Sequence, residues 1–278
     1  MTDRKPSQTH EKNQISACVI THNEEAKIRR CLESLTWCDE IVAVDSFSTD
    51  RTLAICREYT DRVYQHEWRG YIGQRNLIRE MASCPWVLLM DADEVLSPEL
   101  RQEIKQEFEG NVGAYIGYQF PRQVYYLGKW IKHGEWYPDI KLRLFKKELG
   151  YSCGQEPHDY VVVDGPIKTF RSPLWHYTYD DITDHLETMN RFSTISARAK
   201  FEDGSRFKWG NFLVRPVWRF IKGMILKGGL LDGQRGFLIA AINFFGVSMK
   251  YAKLWEIELK QKQLSNKEDN TRVSCKTN

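Results

Sequence analysis

The segment WVLLMDADE (86–94) is an uncharged apolar run that leads directly into two aspartates, Asp91 and Asp93. A run of this kind is typical of a strand buried on both faces near the centre of a parallel sheet. Because residues i and i+2 of an extended chain point to the same side, the two carboxylates are expected to converge where the strand ends. In open α/β sheets, ligands bind at that carboxyl edge.

Two carboxylates this close repel each other, and a divalent cation relieves the repulsion. Mg²⁺ typically takes one or two carboxylates and completes its shell with water and phosphate oxygens. The alternative is a solvated turn, in which Asp is common. The position of Asp91 and Asp93 directly after a buried strand favours a site for Mg²⁺ or Mn²⁺.

The rest of the first 110 residues alternates strand and helix patterns. Short β-branched apolar runs predict strands at 15–21, 40–45 and 62–68. Apolar residues at helical spacing, with capping residues Asp50 and Ser97 before two of the segments, predict helices at 25–35, 50–59, 72–82 and 97–108. This βαβα order predicts a mostly parallel central sheet with helices on both faces, an α/β fold.

Beyond Gly110 the pattern changes to short strands and then to helices. Strands are predicted at 115–127, 141–145 and 160–163, and a helix at 182–199. We expect four parts: a flexible tail at 1–13, an α/β domain at 14–204, basic amphipathic helices at 205–262 and a polar tail at 263–278.

The charge is unevenly distributed along the 278 residues, whose formal net charge is +3. Residues 1–204 contain 26 basic and 32 acidic residues, whereas residues 205–262 contain 11 basic and 3 acidic residues. The acidic part fits a metal site. The basic part interleaves Lys and Arg with Trp and Phe, which suits an anionic membrane surface. A nucleic-acid site or a solvated basic face are the alternatives for that part.

The termini and the cysteines indicate a protein of the cytoplasm. The polar N-terminal residues 1–13 lack the apolar stretch of a secretory signal. The longest apolar run, 236–247, contains Asn243 and is shorter than the roughly 20 residues of a membrane span. Seven scattered cysteines without a CxxC pair predict reduced thiols.

Polar loops follow the first two predicted strands at the edge where Asp91 lies. The first strand leads into Thr21, His22, Asn23 and Glu24, and the second into Asp45 and Ser46. Neither a Walker A loop nor GxGxxG is present. Asp45 could accept a hydrogen bond from a base or a ribose, while Ser46 could simply belong to the turn. Arg75 in the third helix could bind a diphosphate or lie at the surface.

Four segments together resemble the inverting glycosyltransferases of family 2, which have the GT-A nucleotide-sugar fold. The segments are VITHNEE (19–25), VDSFSTDRT (44–52), GQRN (73–76) and WVLLMDADE (86–94). Four more segments resemble the lipopolysaccharide inner-core β-1,4-glucosyltransferases: HGEWYPDIKLRLF (133–145), PHDYVVVDG (157–165), WHYTY (175–179) and KGGLLDGQRG (227–236). The resemblance covers roughly residues 14–255.

The resemblance implies roles for the residues of these segments. Asp45 would contact uridine, Asp93 would bind the metal, and Arg75 would lie near the nucleotide. The donor site would be completed by Thr21, Asn23, Glu24, Ser46 and Asp91. A UDP-sugar, with glucose as the expected sugar, and a lipid-linked glycan acceptor are the implied partners, with no nucleic acid. The implied location is the cytoplasmic side of the inner membrane, in peripheral association.

Asp159 is the candidate general base, at a position where the subgroup usually has Glu after His158. The carboxylate is therefore kept but shortened by one methylene. Such a base contributes typically 10²–10⁴-fold to a rate. A loop or strand-capping Asp is the alternative. His176 is a candidate metal ligand or a structural histidine.

Aromatic and polar residues near the predicted base are candidates for a sugar pocket. Trp136, Tyr137, Asp139 and His158 are expected to bind substrate, although Trp136 could equally belong to the core. Competing functions remain a transferase acting on another lipid-linked or capsular glycan, a nucleotidyltransferase, and a catalytically silent membrane-associated binding protein. The THNEE loop speaks against a nucleotidyltransferase, which would normally have a Gly-rich basic loop there.

Overall fold

A computed structural model describes residues 13–110, 112, 114–156 and 158–274. The described chain forms two compact units. We call them the sheet unit, residues 13–132 and 136–178, and the helical unit, residues 133–135 and 179–274.

The sheet unit is built on a ten-stranded mixed sheet, with a separate two-stranded hairpin. The main sheet has the order β3-β2-β1-β4-β8-β6-β12-β5, and β7 and β11 pair with β6. Strands β9 and β10 form the hairpin. The strands are β1 (Ile15–Thr21), β2 (Glu40–Asp45), β3 (Val63–Gln65), β4 (Trp86–Asp91), β5 (Glu94–Leu96), β6 (Gly117–Tyr126), β7 (Lys129–Trp130), β8 (Asp139–Lys146), β9 (Gly150–Gln155), β10 (His158–Val163), β11 (Ile167–Thr169) and β12 (Leu174–His176).

The first four strands are parallel, as the βαβα pattern predicts. In this register Thr21 pairs with Asp45, and Ile20 pairs with Asp91. The carboxyl ends of β1, β2 and β4 therefore lie side by side. Strand β8 then adds antiparallel to β4, so the second half of the sheet is mixed.

The helices of the sheet unit cover both faces of the parallel strands. They are α1 (Ile28–Leu35), α2 (Thr52–Arg57), α3 (Gly70–Met81) and α4 (Pro98–Glu109). One core contains Ile28 and Leu32 of α1, and the core on the other face contains Ile78 of α3. Ser97 caps α4 as predicted, because its hydroxyl accepts a hydrogen bond from the Leu100 amide (3.0 Å).

The third strand differs from the sequence prediction: it is only Val63–Gln65, shorter than the predicted 62–68. Pro121 lies inside β6, although this strand has partners on both sides. The missing amide is tolerated because β11 pairs only up to Gln119 and β12 only from Arg122, which leaves Pro121 in the gap.

The helical unit contains α5 (Ile182–Glu202), α6 (Trp209–Ile221) and α7 (Gln234–Ser274), with a π-helical turn at Lys222–Leu226 and a 3₁₀ turn at Gly229–Asp232. Ala197 of α5 packs with Tyr251 and Leu254 of α7. The Lys253 ammonium also donates to the Asn190 carbonyl (2.8 Å). Because α5 packs on α7, the boundary lies after Thr178 and not after 204 as predicted.

The ends of the chain bear on two further predictions. Helix α7 continues to Ser274, into the segment expected to be a polar tail. The predicted tail 1–13 lies outside the described residues except for Asn13, whose side chain donates to the Phe108 carbonyl (3.0 Å).

Candidate functional site

The loops that follow β1 and β2 are fastened to each other by hydrogen bonds. The Asn23 side chain accepts from the Thr49 amide, and the Asn23 amide donates to the Ser48 hydroxyl, both at 2.8 Å. The Glu24 amide donates to the Thr52 hydroxyl (2.8 Å). These contacts hold the two loops as one rigid wall at the carboxyl edge of the sheet.

Asp45 lies at this edge, fully buried at the end of β2. Its carboxylate accepts hydrogen bonds from the Ser48 amide (3.0 Å) and hydroxyl and from the Gln65 side chain (3.1 Å). Thr21 lies beside it in the register, and the buried Thr21 hydroxyl has no hydrogen-bond partner among the described residues. The structure therefore places the predicted nucleotide residues together.

Consecutive side chains of the GQRN segment connect α3 to the loop after β2, to β4 and to the β9–β10 hairpin. Gln74 donates to the Ser46 hydroxyl in the loop after β2 (2.9 Å). Asn76 exchanges two hydrogen bonds with the backbone of Ser152 in β9, at 2.9 and 2.8 Å. Arg75, between them, is buried and points at carboxylates. This predicted motif is thus a junction rather than a surface turn.

Arg75 joins two carboxylates from different parts of the sheet unit. One of its terminal nitrogens donates to both oxygens of Asp91 (2.7 and 2.8 Å), and the other donates to Asp159 Oδ2. Burial lowers the pKa of Arg75, but Asp91 and Asp159 outweigh it and raise the pKa above its ordinary value. Arg75 is therefore a permanent cation at the centre of the site.

The second aspartate of the pair does not share these partners. Extended backbone was expected to align Asp91 and Asp93, but β4 ends at Asp91 and a turn follows at residues 92–93. Asp91 accepts hydrogen bonds from Arg75 and Arg143 (2.8 Å). Burial would raise the pKa of Asp91, but these two guanidinium groups outweigh it and hold the pKa well below its usual value.

Asp93 instead faces His176, which is the last residue of β12. The Asp93 Oδ2 and His176 Nε2 atoms lie 3.0 Å apart, and both side chains are largely buried. Burial raises the pKa of Asp93, but His176 and Arg122 lower it, and the net shift is downward. Two of the three predicted metal ligands, Asp93 and His176, thus meet although they are 83 positions apart in sequence.

Asp159 reaches the site because the β9–β10 hairpin packs on α3. Besides the Asn76 contacts, Arg79 donates to the Gly150 carbonyl (2.7 Å), and the Ile72 amide donates to the Glu156 carboxylate (3.0 Å). The Asp159 side chain is only 7% exposed. The structure therefore brings the predicted base beside Asp91, at the ligand edge of the sheet.

Three residues of this cluster were missed in the sequence. Glu94 is fully buried and accepts from Arg143 (3.0 Å) and Arg122 (3.2 Å). Arg122 also forms two hydrogen bonds to Asp139, at 2.7 and 3.0 Å. A sequence signal was available for them, namely a charged residue at an inward-facing position of a strand. Buried charges are rare unless they are paired, so such a residue indicates an ion-pair partner.

The predicted sugar-pocket residues have mixed positions. Burial raises the pKa of Asp139, but Arg122 and Lys141 outweigh it and lower the pKa, so Asp139 belongs to the ion-pair network. Trp136 packs edge-to-face on Tyr126, with ring centres 5.2 Å apart, and Tyr137 is half-buried. The side chain of His158 lies outside the described part of the structure.

Two donors in the cluster have no hydrogen-bond partner among the described residues. They are the buried Nε–H groups of Arg75 and Arg143. An unpaired buried donor costs about 1–3 kcal/mol, and such groups often mark sites that a ligand completes.

The residues present fit a divalent cation with few protein ligands. Within the described ranges, no three His, Cys, Asp or Glu side chains are grouped to hold a metal. Asp93 and His176 offer one carboxylate and one imidazole, which suits an ion whose other ligands are water and phosphate oxygens. Asp91 is less suited, since two guanidinium groups already occupy it.

Comparisons with known proteins agree with this architecture. Residues 16–163 match the profile of "Glycosyl transferase family 2". The lipopolysaccharide core biosynthesis glycosyltransferase LpsC of Rhizobium meliloti is 31% identical over 249 residues, covering 87% of this chain and 92% of LpsC. An uncharacterized glycosyltransferase of Rickettsia typhi, RT0209, is 31% identical over 262 residues, covering 90% and 89% of the two chains.

A solved structure shows the same fold. The mannosyltransferase PcManGT of Pyrobaculum calidifontis, solved with GDP-Man and Mn²⁺, superposes with a TM-score of 0.52 at 14% identity, covering 91% of each chain. At this identity the similarity concerns the fold, which is the GT-A fold. The profile covers more than half of the chain, and LpsC is similar over nearly its whole length. The chain therefore belongs to glycosyl transferase family 2.

Proposed function

We propose that this protein transfers a hexose, with glucose as the first choice, from a UDP-sugar to a sugar hydroxyl of a lipopolysaccharide or lipooligosaccharide core acceptor, with inversion at the anomeric carbon. The observation that carries this proposal is the convergence of Asp159, Arg75, Asp91 and the Asp93–His176 pair at the carboxyl edge of the parallel strands. Ligands bind at that edge in open α/β sheets.

Asp159 is suited to be the general base. Arg75 binds it through Oδ2, so the other carboxylate oxygen can accept the proton of an acceptor hydroxyl. The Asn76 and Arg79 contacts fix the hairpin that carries Asp159, and they therefore fix the direction of attack. A base positioned in this way favours direct displacement. The acceptor hydroxyl then attacks opposite the leaving group, and the configuration at the anomeric carbon is inverted.

The leaving diphosphate needs positive charge at the same edge. Asp93 and His176 would hold Mg²⁺ or Mn²⁺, which supplies a Lewis acid for the diphosphate when bound. The unpaired Nε–H groups of Arg75 and Arg143 are further donors for phosphate oxygens. Asp45, Ser46 and the wall formed by Thr21, Asn23 and Glu24 would receive the uridine.

The relatives and the helical unit support the proposed acceptor and location. LpsC carries a name from lipopolysaccharide core biosynthesis, and this supports a lipid-linked acceptor. The basic residues of the helical unit support peripheral association with the cytoplasmic face of an inner membrane. Trp136, Tyr137, Asp139 and His158 remain the proposed substrate residues, with aromatic faces for sugar rings.

A donor screen tests the proposal. The full chain is heated with Mn²⁺ and UDP-glucose, UDP-galactose, UDP-N-acetylglucosamine or GDP-mannose, and the unfolding temperature is recorded. A ligand that binds only the folded chain raises this temperature. We expect UDP-glucose to give the largest shift and to be hydrolysed slowly. An equal response to GDP-mannose, or no nucleotide response, would overturn the donor assignment.

A further inference from the structure

Helix α6 exposes large apolar side chains along one side. Leu213, Val214, Val217, Trp218 and Ile221 are all exposed, Val214 to 65%. At helical spacing they form one broad face. The opposite side is the packed one: Pro216 is buried, Phe212 packs against the core of Tyr251 and Leu254, and Phe220 meets Phe237.

Further large apolar side chains are exposed past the end of the helix. Ile225, Leu226, Leu230 and Leu231 are between 60% and 74% exposed, in the turns that follow α6. Large exposed apolar surface on a folded protein marks an interaction site.

One flank of this face is basic. Arg215, Arg219 and Lys222 follow one another at helical spacing, and residues 204–231 contain no acidic residue. The acidic group that meets this flank is Glu135, which accepts from Arg219 Nε (2.6 Å). Lys250 of α7 lies nearby. Burial and the positive charges of Lys200, Arg219 and Arg215 lower the pKa of Lys250 to about 8. This lowering reflects an excess of positive charge on the flank.

We propose that α6 is the membrane-inserting element of this protein and lies in the plane of an anionic phospholipid surface. Its exposed apolar face enters the acyl region, and Arg215, Arg219 and Lys222 lie at the level of the phosphates. The occupant is inferred from the charge, since aromatic and aliphatic side chains beside Arg215, Arg219 and Lys222 match an anionic bilayer. The inference deepens the proposed membrane association and rests on it.

The competing arrangement is a bilayer-spanning α7. By length and composition, Gln234–Leu264 is apolar enough to cross a membrane. One side of this helix, however, is used inside the helical unit, and 39% of its most apolar stretch is buried. Tyr251 and Leu254 are buried against α5, and Lys253 donates to the Asn190, Ser193 and Thr194 side chains. These contacts tie α7 to α5, whereas α6 presents its broad apolar face outward.

Vesicle binding by the full chain tests the proposal. Vesicles of phosphatidylcholine alone and of phosphatidylcholine with phosphatidylglycerol are sedimented with wild-type protein and with a double variant, Val217→Glu with Ile221→Glu. Both positions are exposed, so folding is expected to persist, and circular dichroism checks it. We expect binding only with phosphatidylglycerol, and at least a tenfold loss in the double variant.

Two further variants separate the charge and the helix. Lys222→Gln should weaken binding to phosphatidylglycerol vesicles by roughly fivefold, as about one surface charge is lost. Phe245→Glu, at an exposed position of α7, should bind like wild type. Loss of binding in Phe245→Glu together with retention in the double variant would overturn the proposal. Failure of the wild-type protein to bind phosphatidylglycerol vesicles would also overturn it.

Fluorescence quenching adds a readout independent of sedimentation. Brominated lipid should quench wild-type protein, and the quenching should fall in Trp218→Phe but persist in Trp255→Phe, which lies on α7. The opposite pattern contradicts insertion through α6. Hydrolysis of the sugar nucleotide in solution is measured in the same variants, so a failed donor assignment is distinguished from a failed membrane assignment.

Discussion

Arg75 and Asp159 form a buried ion pair across 84 residues of sequence. Since Arg75 also donates to Asp91, one guanidinium group fixes the distance between the candidate base and the end of β4. Helix α3, which carries Arg75, thereby positions the β9–β10 hairpin, which carries Asp159.

Replacing Arg75 with Lys should lower the transfer rate at least tenfold. Lys keeps the charge, but it cannot reach two carboxylates with a rigid fork. Steady-state transfer from the UDP-sugar measures the effect. Arg101→Lys is the matched control, since Arg101 is exposed on α4 and the variant should transfer normally. Wild-type turnover in Arg75→Lys would contradict the role of the bridge.

Replacing His176 with Ala should weaken Mn²⁺ binding roughly tenfold or more, the scale at which changes around metal ligands act. Titration of Mn²⁺ by electron paramagnetic resonance measures the affinity directly, without turnover. His22→Ala serves as the control, because His22 is exposed in the loop after β1. Unchanged Mn²⁺ affinity in His176→Ala would assign His176 to structure alone.

Buried His185 should make the helical unit sensitive to acid. His185 stacks on Tyr179 with ring centres 4.2 Å apart, and burial lowers the pKa of His185 to about 4. As the pH falls, His185 binds a proton near pH 6.5 in the unfolded chain but only near pH 4 in the folded chain. Stability is therefore expected to fall by about 3 kcal/mol as the pH drops through this window.

His185→Phe should remove this dependence, since the ring contact is kept and the titration is lost. Urea unfolding of both proteins at several pH values between 4 and 7 makes the comparison. If the two proteins lose stability in parallel over this range, His185 is not the titrating group.

Replacing Phe47 with Gly should stabilise the fold. Phe47 has φ of +58° and is 53% exposed, so its backbone is strained while its ring gains little from burial. The left-handed conformation costs a non-glycine residue roughly 1–2 kcal/mol, and glycine avoids this cost. Glycine also loses more backbone entropy on folding, which offsets part of the gain. We expect a net gain of up to about 1 kcal/mol in urea unfolding.

Asn23→Gly is the informative contrast. Asn23 also has a positive φ (+54°), but its side chain accepts the Thr49 amide. This variant should lose stability, because the wall between the two loops loses its hydrogen bond. A stabilised Asn23→Gly would show that backbone strain, and not the loop contact, dominates at this edge.

The parallel half of the sheet was predictable because its signals are local. Apolar runs and helix caps such as Ser97 determine β1, β2, β4 and α4 almost residue by residue. The register of parallel strands then places Thr21, Asp45 and Asp91 together, as the sequence predicts.

The ion-pair network was not predictable, because it depends on strands that are distant in sequence. Arg143 and Glu94 look like ordinary surface charges until β8 pairs with β4 and β5 pairs with β12, and in the folded chain both are buried. The separate partners of Asp91 and Asp93 were missed for a local reason. The strand stops at Asp91, so the alternation rule for extended chain no longer applies.

Turnover by Asp159→Asn tests the central claim most directly. The account predicts that transfer to acceptor falls by roughly 10²–10⁴-fold, while the UDP-sugar with Mn²⁺ still raises the unfolding temperature as in wild type. Asp164→Asn, at an exposed position just after β10, should transfer normally. Transfer by Asp159→Asn at the wild-type rate would contradict the assignment of Asp159 as the general base.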